Sequence, residues 1–150
     1  MILAIDPGIS GALAWLEGEY LVAVEDMPTI EVRGKRRVNA AALSILMAKR
    51  DIDLVVIEGV SAMPRQGVSS TFAFGYAAGL IEGVVVGLGL PVEIVQASIW
   101  KRRAGVPADK GAVRQMASRY WPGAAASFAR VKDDGRADAA LLGRWYAQRP

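Results

Sequence analysis

The chain has 150 residues, 53% of them hydrophobic, and a formal net charge of +3. That length suits one compact domain with one core, and the apolar fraction excludes a disordered chain. The absence of cysteine and histidine excludes disulfides, thiolate or imidazole zinc sites, and Ser-His or Cys-His catalysis.

The first ten residues, MILAIDPGIS, lack the basic start and long apolar run of a signal peptide. No apolar run reaches the roughly 18 residues needed to span a membrane, because Glu82 and glycines interrupt the longest one. A soluble cytoplasmic protein, with no membrane partner, is the expectation. The charge is uneven. Residues 1–96 carry 7 Lys/Arg and 11 Asp/Glu, a sum of −4, and residues 97–150 carry 11 and 4, a sum of +7. A basic C-terminal third points to a polyanionic partner or to an ordinary solvated basic surface.

In chain order, MILAID is a short apolar run ending in a carboxylate and broken by Pro7-Gly8. Gly11 to Leu16 and Tyr20 to Val24 follow across the turn at Glu17-Gly18-Glu19, so the first three runs predict an antiparallel meander. Pro28 to Arg37 is polar and basic and reads as a loop. Residues 39–50 predict a helix with Asn39 as its cap. Asp53 to Glu58, apolar on both faces, predicts a buried central strand. A loop over 60–68 leads into a long helix, Ser69 to Leu88, in which Gly75, Gly79, Gly83 and Gly87 share one face. Each glycine weakens the helix. Close approach of a partner, or tight packing on the chain's own sheet, would account for them. Pro91 to Gln96 predicts a fifth strand, 98–104 and 109–120 two helices, and Asp134 to Ala147 the last helix. The predicted order is βββαβαβ followed by helices, in a single domain over 1–150.

Four acids stand out by position. Asp6 and Glu58 end apolar strands, and Asp134 and Asp138 lie four apart at a helix start, on one face. A carboxylate at the end of an apolar strand is costly to desolvate unless it is paired or binds metal. Two acids at i, i+4 repel. A divalent cation with oxygen ligands offsets all of these costs, and two such ions can activate water and stabilise the leaving oxygen of a phosphodiester. Each acid singly also has a structural reading: a strand-end Asp capping a turn, or Asp133 and Asp134 at the positive end of a helix.

The segment Asp6-Pro7-Gly8-Ile9-Ser10-Gly11-Ala12 resembles the first-strand motif of the RuvC-type Holliday-junction resolvases. Val56-Ile57-Glu58 resembles their second motif, with its catalytic Glu. Lys132 to Leu141, KDDGRADAAL, resembles the C-terminal motif, most of all the phage-borne and chloroplast version, in which an acid, Gly-Arg-Ala and a second acid open the last helix. The segment from Glu58 to Gly83 is similar to those relatives too. The resemblance covers nearly the whole chain in matching order. It implies an α/β, RNase H-like mixed five-stranded sheet, three antiparallel strands then parallel ones, flanked by helices. It also implies a homodimer that resolves four-way DNA junctions by nicking two opposed strands. Magnesium, or manganese in its place, would serve as cofactor, two ions per site, with no small-molecule cofactor. Carried over, Asp6, Glu58, Asp134 and Asp138 are the catalytic metal ligands. Many bacterial members space the last two at i, i+3, which would put Gly135 in a ligand position. Asp134 is therefore the expected third ligand, with Asp133 in reserve.

The likeness also suggests where DNA lies. Lys101, Arg102 and Arg103 follow Trp100, and Lys110 and Arg114 share a face of the next helix. Lys35, Arg36 and Arg37 form a second cluster. Such residues neutralise phosphates. The loop from Met63 to Ser70 stands beside Glu58, and its Arg65, Gln66 and Ser69 are the expected base contacts. Phe72 and Phe74 suit base stacking or interface packing. Three other readings compete: a branched-DNA nuclease of phage replication or packaging, a junction-binding protein with little cleavage, and an actin-like phosphotransferase. The last shares the D-x-G after its first strand but needs a second, duplicated domain, for which 150 residues leave no room.

Overall fold

A computed structural model describes residues 1–59 and 67–149. The first three runs form β1 (Ile2–Asp6), β2 (Ala12–Glu17) and β3 (Tyr20–Asp26). β1 pairs antiparallel with β2, from Ile2↔Leu16 to Asp6↔Ala12, and β2 pairs antiparallel with β3. The predicted central strand is β6 (Leu54–Gly59), parallel to β1, and β7 (Val92–Gln96) lies parallel on its far side. The sheet order is β3-β2-β1-β6-β7, the mixed five-stranded sheet expected from the sequence.

Alternation along the strands sorts side chains by size. Leu3, Ile5, Leu13, Trp15, Val55 and Ile57 point to one face, where they pack with Leu43 and Met47 of α1 (Ala40–Met47) and Ala77, Ile81 and Val85 of α2 (Val68–Gly87). Ala4, Ala12, Ala14 and Val56 point to the other, against Ala137, Ala139 and Ala140 of α5 (Asp134–Ala147). The small residues let α5 lie close to the sheet. A Cβ added at Gly143 would stand 2.3 Å from Leu16 Cδ1 and 3.0 Å from Ala4 Cβ. α3 (Ala97–Arg103) follows β7 directly. α4 (Lys110–Tyr120) and a 3-10 segment, Pro122–Phe128, complete the α5 side with Trp100, Val113 and Phe128. The predicted cap forms, Asn39 accepting from the Ala42 amide at 3.1 Å, and α5 has the predicted bounds.

Three expectations change. Pro28 to Arg37 is not a loop but most of a hairpin, β4 (Thr29–Val32) and β5 (Lys35–Val38). Its two turn residues, Arg33 (φ 52°) and Gly34 (φ 74°), both take left-handed backbone, as tight hairpins require. The hairpin stands off the main sheet, with Ile30 and Val32 exposed, so it lacks the buried alternating face that marks a strand. Second, α2 is long and apolar enough, by length and composition alone, to cross a membrane. The single charge of Glu82 does not interrupt it; instead its Ala77, Ile81 and Val85 cover the sheet. Third, the glycines of α2 do not pack on the chain's own sheet. A Cβ at Gly75, Gly79, Gly83 or Gly87 would meet no described atom within 4 Å. They lie opposite the buried stripe, on a face where Phe72, Tyr76 and Val86 are exposed.

Candidate metal centre

β1 and β6 run parallel in register Ile5↔Ile57, so the next residues, Asp6 and Glu58, stand side by side at the carboxyl ends of neighbouring strands. Both share the face of Ala4 and Val56, the face that α5 covers. The first turn of α5 closes over them. Gly135 lies so near that a Cβ there would be 2.6 Å from the Ser10 carbonyl oxygen and 3.0 Å from Asp6 Oδ2. One turn on, Asp138 points inward with 4% exposure. The close contact at Gly135 gives the physical reason for the spacing in this chain: a carboxylate at i, i+3 from Asp138 has no room.

Burial pushes the Asp6 carboxyl well above the usual carboxylate range, and the charges of Glu58 and Asp138 push it the same way, against Lys101 and Lys110. Among the described residues no cation lies within ion-pair distance of Asp6. Its two neighbours are better served. The Lys101 ammonium stands 3.1 Å from Glu58 Oε1 and 3.2 Å from Asp138 Oδ1, bridging the two. Lys110 donates to Asp138 Oδ2 at 2.6 Å. Trp100, fully buried, donates its indole N–H to Glu58 Oε1 at 2.9 Å, which fixes that carboxylate's rotamer. Burial works against the charge on Lys101, but Asp138 and Glu58 overcome it and hold the ammonium above its ordinary pKa. Asp138 Oδ1 is buried and makes no hydrogen bond among the described residues, only the ion pair with Lys101.

Asp134 and Asp133 divide by environment. Asp134 is partly exposed and pairs with Arg114 of α4. Asp133 is fully buried and already committed. Arg130 donates to it through its backbone amide at 2.8 Å and its guanidinium at 2.8 Å, and Arg136 lies 3.9 Å away. The Arg130 hydrogen bonds hold its carboxyl below the usual range. Asp133 stands at the N-terminal cap position of α5, but its carboxylate is spent on Arg130 and makes no hydrogen bond to the helix amides.

Asp6, Glu58 and Asp138 therefore come together, and Asp134 stands at the rim with Arg114. Three residues expected at DNA phosphates, Lys101, Lys110 and Arg114, form ion pairs with these carboxylates in the structure. Arg102 and Arg103 remain exposed on α3. Ser69 is exposed on the first turn of α2, while Arg65 and Gln66 lie outside the described residues. The sequence marks Trp100 only as the residue before a basic run, not as a partner of Glu58. The register Gly59↔Gln96 places the start of α3 beside Glu58, which is the signal that would have found it.

Among the described residues no three carboxylates converge into a ready-made ligand cage; the Lys101 ammonium lies between two of them. The donor set nonetheless fits a hard divalent cation. It is all oxygen, it includes one buried oxygen without a hydrogen bond, Asp6 has no cationic partner among the described residues, and an ammonium bridges Glu58 and Asp138 where a metal ion could.

No family model matches the chain, and no curated protein matches it in sequence. Solved structures do match it. Thermus thermophilus RuvC in complex with Holliday junction substrate is 17% identical with a TM-score of 0.66, over 98% of this chain and 94% of that one. Fowlpox virus resolvase, in complex with substrate Holliday junction DNA, is 15% identical with a TM-score of 0.60, over 99% of each chain. The yeast mitochondrial Holliday junction resolvase is 15% identical with a TM-score of 0.52, over 97% of this chain and 78% of that one. At these identities the shared property is the fold, and it is the RNase H-like fold of RuvC and its fellow resolvases.

Proposed function

We propose that this chain is a structure-selective endodeoxyribonuclease that resolves four-way DNA junctions, nicking two opposed strands by metal-dependent hydrolysis. One observation carries the reading: Asp6, Glu58 and Asp138 are drawn together at the sheet's carboxyl edge, at the cost of burying like charges. The solved structures sharing this fold include two resolvases bound to junction DNA. Asp6, Glu58, Asp138 and Asp134 would hold magnesium, with manganese able to substitute, two ions per site. The metal, when bound, supplies activation of the attacking water and stabilisation of the leaving oxygen. The chain's own part is orientation and charge. Trp100 and Lys101 hold Glu58, Lys110 holds Asp138, and exposed Arg102 and Arg103 meet phosphates without reading sequence.

Nicking opposed strands needs two sites, and the outer face of α2 supports a homodimer. Apart from Glu82, the central and C-terminal part of the outer face of α2 is apolar and exposed, which favours cover by a partner, and glycines at every fourth position allow a second helix to approach closely. Cleavage of junction, fork and duplex DNA side by side in magnesium tests the reading. The expected result is paired nicks in the junction alone, abolished by Asp6→Asn. Intact cleavage by that variant refutes the site. Tight junction binding without nicks would favour a binding protein, and equal cutting of forks a broader branched-DNA nuclease.

A further inference from the structure

Arg136 lies between Asp134 and Asp138 in sequence but on the opposite flank of α5, because two residues of helix turn through about 200°. There its Nε donates to Asp26 Oδ1 at 2.6 Å, at the end of β3. Its distance to Asp133 is 3.9 Å, and Arg130 already occupies that carboxylate, so Asp26 is its principal partner. The strand register shows what this contact spans. Asp26 pairs with Ala12, Ala12 with Asp6, and Ile5 with Ile57, so Asp26, Asp6 and Glu58 belong to one row across the sheet. The start of α5 lies over that row. It is tied to β3 through Arg136 and presents Asp138 on the far side, where Lys101 bridges it to Glu58.

Stability alone does not account for the tie. The Asp26 side chain is 55% exposed, and an ion pair that open to water contributes little. Geometry does account for it. No side chain caps the start of α5, so the amides of its first turn lack that restraint. Ala137, Ala139 and Ala140, fully buried against the sheet, fix how near the helix lies, but side chains that small interdigitate little. The Asp138 carboxylate stands roughly 6 Å from the helix axis, so a twist of about 10° moves it by about 1 Å. Glu58 is held separately by Trp100 at 2.9 Å and would not follow. From this we infer that Arg136 is a positioning residue: through Asp26 it fixes the twist of the first turns of α5, and hence the place of Asp138 against Asp6 and Glu58. The inference rests on the nuclease reading for what the cluster does. Arg144 offers a comparison on the same helix. It pairs with Glu19 at 2.6 Å, just ahead of β3, and its guanidinium lies 3.7 Å from the centre of the Tyr120 ring, so it anchors the far end of α5 away from the carboxylates.

The test compares the full chain with Arg136→Gln, Arg136→Lys, Asp26→Asn and Arg144→Gln. Two readouts are taken: manganese affinity by calorimetry without DNA, and junction cleavage in magnesium. Arg136→Gln should weaken manganese binding about tenfold and lower kcat by up to about 100-fold, the scale of a 1 Å misplacement, at unchanged KM. Asp26→Asn should do the same, and the double variant should be no worse than either, since all three lose one contact. Arg136→Lys keeps a charge able to reach Asp26 and should recover most of the loss; it also serves should Arg136→Gln fold poorly. Arg144→Gln should lower the melting temperature and leave both readouts unchanged. Wild-type manganese affinity in Arg136→Gln overturns the proposal, and so does an equal loss in Arg144→Gln. A raised KM at unchanged kcat makes Arg136 a DNA contact and overturns it too. Weakened manganese binding by Arg136→Gln in a chain that nicks no junction sinks the nuclease alone. Paired nicking that Arg136→Gln leaves at its wild-type rate sinks the positioning role alone.

Discussion

Lys101→Met removes one charge from the carboxylate cluster while keeping most of the side chain's bulk. Lys101 stands within 3.2 Å of both Glu58 and Asp138, whose side chains are 14% and 5% exposed, and is itself 29% exposed. Breaking a fully buried pair by removing one partner costs about 3–5 kcal/mol, and an exposed pair about 0–1 kcal/mol. The intermediate burial here puts the loss at about 2 kcal/mol. In a chain of this length each kcal/mol moves the melting temperature by about 2–4 °C, so the variant should melt about 4–8 °C below wild type in EDTA. Millimolar magnesium should narrow the gap, because a divalent ion offsets the repulsion that the missing ammonium no longer screens. Thermal unfolding in EDTA and in magnesium reads both effects. Equal melting temperatures in EDTA, or a gap that magnesium leaves unchanged, would refute the view that Lys101 counterbalances these carboxylates.

Other outcomes follow from particular contacts. Gly135→Ala sets a methyl 2.6 Å from the Ser10 carbonyl oxygen, so the start of α5 must shift. A loss of about 1–3 kcal/mol in denaturant unfolding should accompany a fall in junction cleavage. Asp134→Asn should cut cleavage by at least about 100-fold, near 2.7 kcal/mol in barrier, with little change in stability. Asp133→Asn should do the reverse, costing about 1–3 kcal/mol of stability through its buried hydrogen bonds with Arg130 while sparing magnesium-dependent cleavage. Gly79→Leu should raise helix propensity in the monomer by up to about 1 kcal/mol yet, if the proposed dimer forms through this face, shift the species seen by light scattering from dimer to monomer.

The elements that carry the carboxylates are legible in the sequence because each ends a pattern. Asp6 and Glu58 close apolar runs, and Asp134 follows a stretch that cannot continue a strand. The hairpin escapes such reading because both its faces are largely solvated, so Lys35, Arg36 and Arg37 look like a polar loop. The difference between Asp133 and Asp134 depends on Arg130, three residues upstream of Asp133, whose hydrogen bonds to the Asp133 carboxylate no spacing rule marks. Lys101, Lys110 and Arg114 show the other limit. Sequence supplies their charge but not their partners within the fold, which brings them into ion pairs with Glu58, Asp138 and Asp134. Gly75, Gly79, Gly83 and Gly87 were legible as a face; which way it pointed was settled only when Ala77, Ile81 and Val85 took the inward side.

The two sides of the sheet will tolerate change very differently. Leu3, Ile5, Leu13 and Trp15 meet large, adaptable side chains, where one hydrophobe can replace another of similar volume. Gly143 lies close against Ala4 and Leu16, with little room for an added methyl. Gly143 lies eight residues from Gly135 on the same rigid rod, about 12 Å along its axis. A methyl added at the far end of that rod would tilt the near end and pull Asp138 away from Glu58. Directed evolution of this scaffold for heat resistance therefore has a permissive side and a restrictive one, and the restrictive side is the lever arm of the carboxylate cluster.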